Sequence, residues 1–128
     1  MKKLFLAASI AALMSGAAFA DDNEAYISQI GDNNTFESTQ EGNGNTIGWS
    51  GSDTQGVQKG NYNTAELFQR GNNNSIMSAQ QVGNGNFVSA TQNGSSNELT
   101  YSQAGNSNQI VANQRGSQNT ATMRQSRL

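Results

Sequence analysis

Residues 81–91 read Gln-Val-Gly-Asn-Gly-Asn-Phe-Val-Ser-Ala-Thr, and residues 92–102 read Gln-Asn-Gly-Ser-Ser-Asn-Glu-Leu-Thr-Tyr-Ser. The two stretches match in outline: a Gln, a Gly two places on, an Asn three further, then five residues of alternating character. The pattern Gln-x-Gly-x-x-Asn starts at Gln29, Gln40, Gln58, Gln69, Gln81, Gln92, Gln103 and Gln114, with a shortened ninth copy at Gln125. Successive copies are 11, 18, 11, 12, 11, 11, 11 and 11 residues apart. A fixed short period is the mark of a repeat architecture, in which each unit buries its apolar face only against its neighbours.

Within each unit the side chains alternate with period two, as a strand requires. Counting each Asn as zero, the second place holds Phe36, Ala65, Ile76, Val88, Leu99, Ile110 and Ala121, and the fourth holds Ser38, Leu67, Ser78, Ala90, Tyr101, Ala112 and Met123. Asn at zero and Gln at six point the same way as these. Large and small residues compensate within a strand, as in Phe36 with Ser38 and Ala65 with Leu67, which suits a narrow filled interior. The residues between Gln and Asn carry turn chemistry, because Gly supplies positive φ and Asn tolerates the left-handed region. A seven-residue strand and a four-residue turn account for the period, and residues 23–29 supply a first strand, which makes nine in all.

An antiparallel meander of these strands would leave one thinly apolar face without a second layer. The alternating pattern instead predicts an all-β β-solenoid of about 22-residue, two-strand coils with two facing parallel sheets. Each coil then stacks roughly 4.8 Å above the last. Equivalent side chains sit over one another, and stacked amides satisfy donors and acceptors that would be costly to bury singly. The expected ladders are Gln29, Gln40, Gln58, Gln69, Gln81, Gln92, Gln103, Gln114 and Gln125, with Asn23, Asn34, Asn45, Asn63, Asn74, Asn86, Asn97, Asn108 and Asn119. The turn glycines are Gly31, Gly42, Gly60, Gly71, Gly83, Gly94, Gly105 and Gly116. Two places break the period. Residues 45–58 hold seven extra positions, which present Trp49 as an epitope or form a tolerated insertion at a coil corner; the extra residue at Gln80-Gln81 reads as a β-bulge or a longer turn.

The first twenty residues read differently. Lys2 and Lys3 precede an apolar run from Leu4 to Met14, and Ala18-Phe19-Ala20 supplies an A-x-A cleavage site. This predicts a secretory signal peptide over 1–20 and a mature repeat domain over 21–128. No later stretch is apolar enough for a transmembrane segment. The chain has no Cys, His or Pro, so disulfides do not stabilise it, and Pro is missing as paired strands demand. Beyond the leader five basic and nine acidic residues leave a net charge of −4, with no basic stripe for nucleic acid. Asn and Gln total 31, a composition that would read as disorder if it did not keep a strict period.

The repeat Gln-x-Gly-x-x-Asn-x-(Ala/Val/Ile/Leu)-x-x-x-Gln closely resembles the curlin repeat of bacterial curli fibres over residues 23–125. Gln40-Glu-Gly-Asn-Gly-Asn45 and Gln81-Val-Gly-Asn-Gly-Asn86 match the family turn at every fixed position. The resemblance implies secretion through a curli-type export pore with its chaperones, and polymerisation at the cell surface into an extracellular amyloid fibre (a pilus-like curli structure). It further implies a role in adhesion and biofilm matrix, with partners in other copies of the chain and in a second curlin subunit. Two departures stand out. Only Asp21 and Asp22 precede the first strand, where major curlins carry a polar export segment, and the first strand of each coil opens with Asn in place of the family's Ser. The basic cluster Arg115, Arg124 and Arg127 is similar to that of the minor nucleating subunit, whereas the regularity of the earlier repeats favours the major subunit.

The first strand starts within three residues of the expected mature terminus, and Leu128 lies three past Gln125. Uncapped coil ends and end-to-end strand addition are therefore expected. Glu37 and Glu66 should repel at one outward position and, with Asp32 and Asp53, slow premature assembly. An enzyme is disfavoured: neither His nor Cys is present and the carboxylates form no paired constellation, so no catalytic residue, cofactor or metal site is expected. Calcium-binding β-rolls need Gly-Gly-x-Gly-x-Asp, which is missing, and an ice-binding solenoid would want a flat Thr ladder where this chain alternates Thr35/Glu37/Thr39 with Phe87/Ser89/Thr91.

Overall fold

The computed structural model describes residues 22–48 and 56–127. The expected leader 1–20, Asp21, Trp49, Asp53 and Leu128 lie outside the described residues. The elements are β1 (Glu24–Ala25), β2 (Ile27–Ile30), β3 (Thr35–Glu41), β4 (Thr46–Ile47), β5 (Gly56–Lys59) and β6 (Thr64–Asn72). They continue as β7 (Ser75–Val82), β8 (Phe87–Ser95), β9 (Glu98–Gly105), β10 (Gln109–Ser117) and β11 (Thr120–Arg127).

Successive strands alternate between two sheets. One sheet stacks β1 and β2, then β4 and β5, then β7, β9 and β11; the other stacks β3, β6, β8 and β10. Every pairing is parallel. Tyr26 separates β1 from β2, and residues 48–55 separate β4 from β5, so each of these pairs makes up one rung. The result is a β-solenoid. Among the described residues it has nine rungs, five on the first sheet and four on the second.

The cause is visible in the register. Ala65 lies beneath Val88 and Val88 beneath Ile110; Leu67 lies beneath Ala90 and Ala90 beneath Ala112. Alternate residues therefore enter a narrow core made of Ile47, Ala65, Leu67, Ile76, Ala79, Val88, Ala90, Leu99, Tyr101, Ile110 and Ala112. Phe36, Ala121 and Met123 pack against it from the outer rungs. Pairing does not stop at the corners. The Tyr62 amide, in the left-handed region at φ 58, donates to the Asp32 carbonyl at 3.1 Å. Strands such as β6 and β8 run past their Gln through Gly71 and Gly94, which pair with each other, so the hydrogen-bonded segments are longer than seven residues. Glycine makes this possible: at φ 110 Gly71 lies so close that a Cβ would be driven into the Gly94 carbonyl oxygen.

Three details of the sequence reading change. The extra residue of the third first-sheet rung is a β-bulge, but it falls between Ile76 and Ser78, ahead of Gln80-Gln81. Stacking pins Ile76 on Leu99, Ala79 on Tyr101 and Gln81 on Gln103, so the surplus is absorbed at Met77. In consequence Ala79, not Ser78, takes the fourth inward place, where its small side chain accommodates the bulk of Tyr101. Finally, the longer insertion interrupts a strand, not a coil corner. Ile47 still sits on Ile76 and Gly56 on Ala79, so the ladder resumes in register on both sides. Tyr26, the Ile47–Gly56 break and the bulge at Met77 thus fall at the same outward place of three consecutive rungs.

Candidate functional site

Among the described residues no group of three or more carboxylate, His or Cys side chains could hold a metal ion, and no helix is long and apolar enough to cross a membrane. A shallow groove of about 240 Å³ on the outer face of the second sheet is lined by Glu37, Thr39, Glu66, Phe68, Ser89 and Thr91. The candidate site is the stack of amides inside the coil.

On the first sheet Gln29 donates to the Gln58 Oε1 at 2.7 Å, Gln58 to Gln81 at 2.7 Å, Gln81 to Gln103 at 3.0 Å and Gln103 to Gln125 at 3.3 Å. On the second sheet Gln40 donates to Gln69 at 2.9 Å, Gln69 to Gln92 at 2.8 Å and Gln92 to Gln114 at 2.8 Å. From Gln40 to Gln114 the other Nε2 proton crosses between the sheets to a carbonyl at the start of the facing strand, as from Gln81 to Thr64 and from Gln92 to Ser75. Each inner amide thereby binds its own sheet and the opposite one together.

The asparagines run the other way. Asn63 Nδ2 donates back to Asn34, Asn86 to Asn63 and Asn108 to Asn86; on the first sheet Asn74 donates to Asn45, Asn97 to Asn74 and Asn119 to Asn97. Each Oδ1 also accepts the backbone amide of the Asn above it, beginning with Asn45 on Asn23. The second Nδ2 proton reaches forward to a turn glycine carbonyl in the next coil: Asn23 to Gly42, Asn34 to Gly60, Asn45 to Gly71, Asn63 to Gly83, Asn74 to Gly94, Asn86 to Gly105 and Asn97 to Gly116. Gly31 opens the corner beneath Gly60, whose carbonyl a Cβ on Gly31 would strike. No buried side-chain nitrogen or oxygen lacks a partner among the described residues, which is the condition under which buried amides stabilise a core. Burial grades along the stack: Gln58, Gln69, Gln81, Gln92 and Gln103 are buried, Gln29 and Gln40 partly so, and Gln125 is exposed.

A further set of amides escaped the sequence reading. Asn61 Oδ1 accepts the Asp32 amide, Asn72 that of Asn43, Asn84 that of Asn61 and Asn106 that of Asn84. These side chains tie the turns of adjacent coils. Their signal was available, since five of the eight turns place Asn directly after the glycine. On the outer face Glu37 stacks on Glu66, and Glu41 on Arg70 with an ion pair at 3.4 Å. In the core, burial pushes the Tyr101 phenol well above its ordinary range.

The family model of the curlin associated repeat matches residues 60–94. The match supports a curlin family assignment. That window runs from one turn glycine, Gly60, through β6, β7 and β8 to another, Gly94. The matched window thus takes in three successive rungs with their inner amides and corner glycines. No curated protein and no solved structure matches the chain.

Proposed function

We propose that this curlin-repeat chain is a structural subunit of an extracellular, curli-like amyloid fibre. It would leave the cell by way of the leader over 1–20 and a curli-type export pore, then polymerise at the cell surface to support adhesion and biofilm matrix. One observation carries the reading. On the second sheet the ladder residues repeat from rung to rung, Gln69 on Gln92 on Gln114 and Asn63 on Asn86 on Asn108, so the inward face that β10 offers above itself carries the same amides as the one β8 offers to β10. A stack of equivalent rungs has no intrinsic stopping point, and a further copy can extend it with the bonds that already hold it together. The match of residues 60–94 to the curlin associated repeat supports the same reading.

A second reading, a minor subunit that templates the fibre at the surface, draws on the basic side chains Arg115, Arg124 and Arg127 near the last rungs. The test is direct. Protein diluted from denaturant should form thioflavin-positive fibres with a meridional reflection near ~4.8 Å. A chain that stays monomeric refutes the main reading, and one that only accelerates another curlin favours the templating role.

A further inference from the structure

We propose that a second copy of this chain docks with a half-turn about the stack axis, seating its Asn23–Gln29 rung on β10 and its β3 on β11. The inference rests on the polymer reading above and specifies its junction.

The rung count comes first. The described residues begin and finish on the same sheet, with five rungs there and four on the other, so the next place in the winding lies above β10. A copy placed there continues both sheets without a gap only if its own first sheet overlies the second sheet of the copy below. Placed without rotation, on β11, it leaves one rung missing above β10, a void about 5 Å deep across which no strand can pair.

Side-chain size points the same way. The rotated junction sets Ala25 over Ile110 and Ile27 over Ala112, with Phe36 over Ala121 and Ser38 over Met123. Each contact joins a small residue to a large one, as the chain does internally where Phe36 meets Ala65 and Ser38 meets Leu67. The unrotated junction puts Ala25 on Ala121 and Ile27 on Met123, small on small beside large on large, and so compensates less well.

Charge and hydrogen bonds agree. In the rotated register Arg124 lies under Thr39 of the second copy, between that copy's Glu37 and Glu41, and Arg115 lies diagonal to its Asp32. Unrotated, Arg124 lies under Ser28, flanked by Tyr26 and Ile30, and meets no acid. Exposed pairs of this kind add little affinity but discriminate between registers. Inside the stack Gln92 Nε2 donates to Gln114, whereas Gln114 Nε2 turns aside to the Asn119 carbonyl at 3.2 Å. Gln29 of the second copy brings an acceptor to that place. Asn97 Nδ2 reaches the Gly116 carbonyl, but Asn119 Nδ2 bends back to Arg115 at 3.0 Å; Gly31 of the second copy supplies the corresponding carbonyl.

The chain has no cysteine of its own, which permits a clean cross-linking test. The full chain is prepared as Tyr26→Cys/Val111→Cys and as Tyr26→Cys/Thr122→Cys, assembled under reducing conditions and then oxidised. Within one copy the members of each pair lie several rungs apart, so only an intermolecular disulfide can form. The half-turn predicts loss of the monomer band to a disulfide-linked ladder for the 26/111 pair and retention of monomer for the 26/122 pair. Glu37→Cys/Thr122→Cys examines the seat of β3 on β11 and should also cross-link, which keeps the test decisive if one variant assembles poorly. Fibres that cross-link through 26/122, or through neither junction pair, overturn the half-turn and leave the polymer standing. A wild-type chain that forms no fibre overturns both.

Discussion

Replacing Gln69 with leucine removes an amide that is fully buried and makes three bonds: it donates to Gln92 at 2.8 Å and to the Thr46 carbonyl at 3.2 Å, and accepts from Gln40 at 2.9 Å. Leucine is close in size, so the cost is chiefly polar. Three lost bonds at about 0.5–1.5 kcal/mol each, and one buried orphan, the Gln92 Oε1, at about 1–3 kcal/mol, are offset in part by the gain from an apolar side chain. The net loss should be about 3 kcal/mol. The sharper expectation concerns the double variant Gln69→Leu/Gln92→Leu. Each single change strands a group on its neighbour, and the second change removes that stranded group. The double variant should therefore be more stable than the sum of the singles predicts, by about 1–3 kcal/mol. Urea unfolding of freshly desalted protein, followed by far-ultraviolet circular dichroism, gives all four corners of the cycle. Additivity within about 0.5 kcal/mol would refute the claim that the ladder acts as a connected network.

Gly71→Ala forces a Cβ into the Gly94 carbonyl at φ 110 and should cost more than about 3 kcal/mol, whereas at Gly116 the nearest neighbour is the Asn119 Nδ2 at 3.6 Å, so Gly116→Ala should cost the single chain clearly less in the same unfolding assay. Leu99→Ala empties part of a fully buried site between Ile76 and Ala121 and should cost about 2–5 kcal/mol by urea midpoint at constant slope. Tyr101 predicts a pH dependence. Its folded pKa is raised, so above pH ~10 the unfolded chain binds fewer protons than the folded one and stability falls as pH rises. Tyr101→Phe should flatten that alkaline loss, and an unchanged slope in the variant would exclude burial of this phenol as the cause.

How legible all this was depended on what kind of physics set each feature. The inward places of Val88, Leu99 and Ile110 follow from period-two alternation, a property of any strand with one buried face. The bulge was not so readable. Counting residues located a surplus between Gln69 and Gln81 but not where it would be spent, because Met77 is extruded only when Ile76, Ala79 and Gln81 are held by Leu99, Tyr101 and Gln103 on the rung above. The interruption after Ile47 likewise falls mid-strand because Ile76 and Ala79 hold both of its flanks in register.

By itself the order of residues determined the period, the strand-and-turn alternation, the coil of two strands, and the demand that its interior amides find partners. Those follow from local geometry and from the cost of burying an unbonded amide. Tertiary structure alone decided the direction of the bonds, with glutamines donating forward and asparagines backward, and the bridging of the sheets through carbonyls such as those of Thr64 and Ser75. It also decided that three irregularities distant in sequence meet at one outward place. Such features depend on which rung lies above which, and that is settled only when the coil closes and stacks.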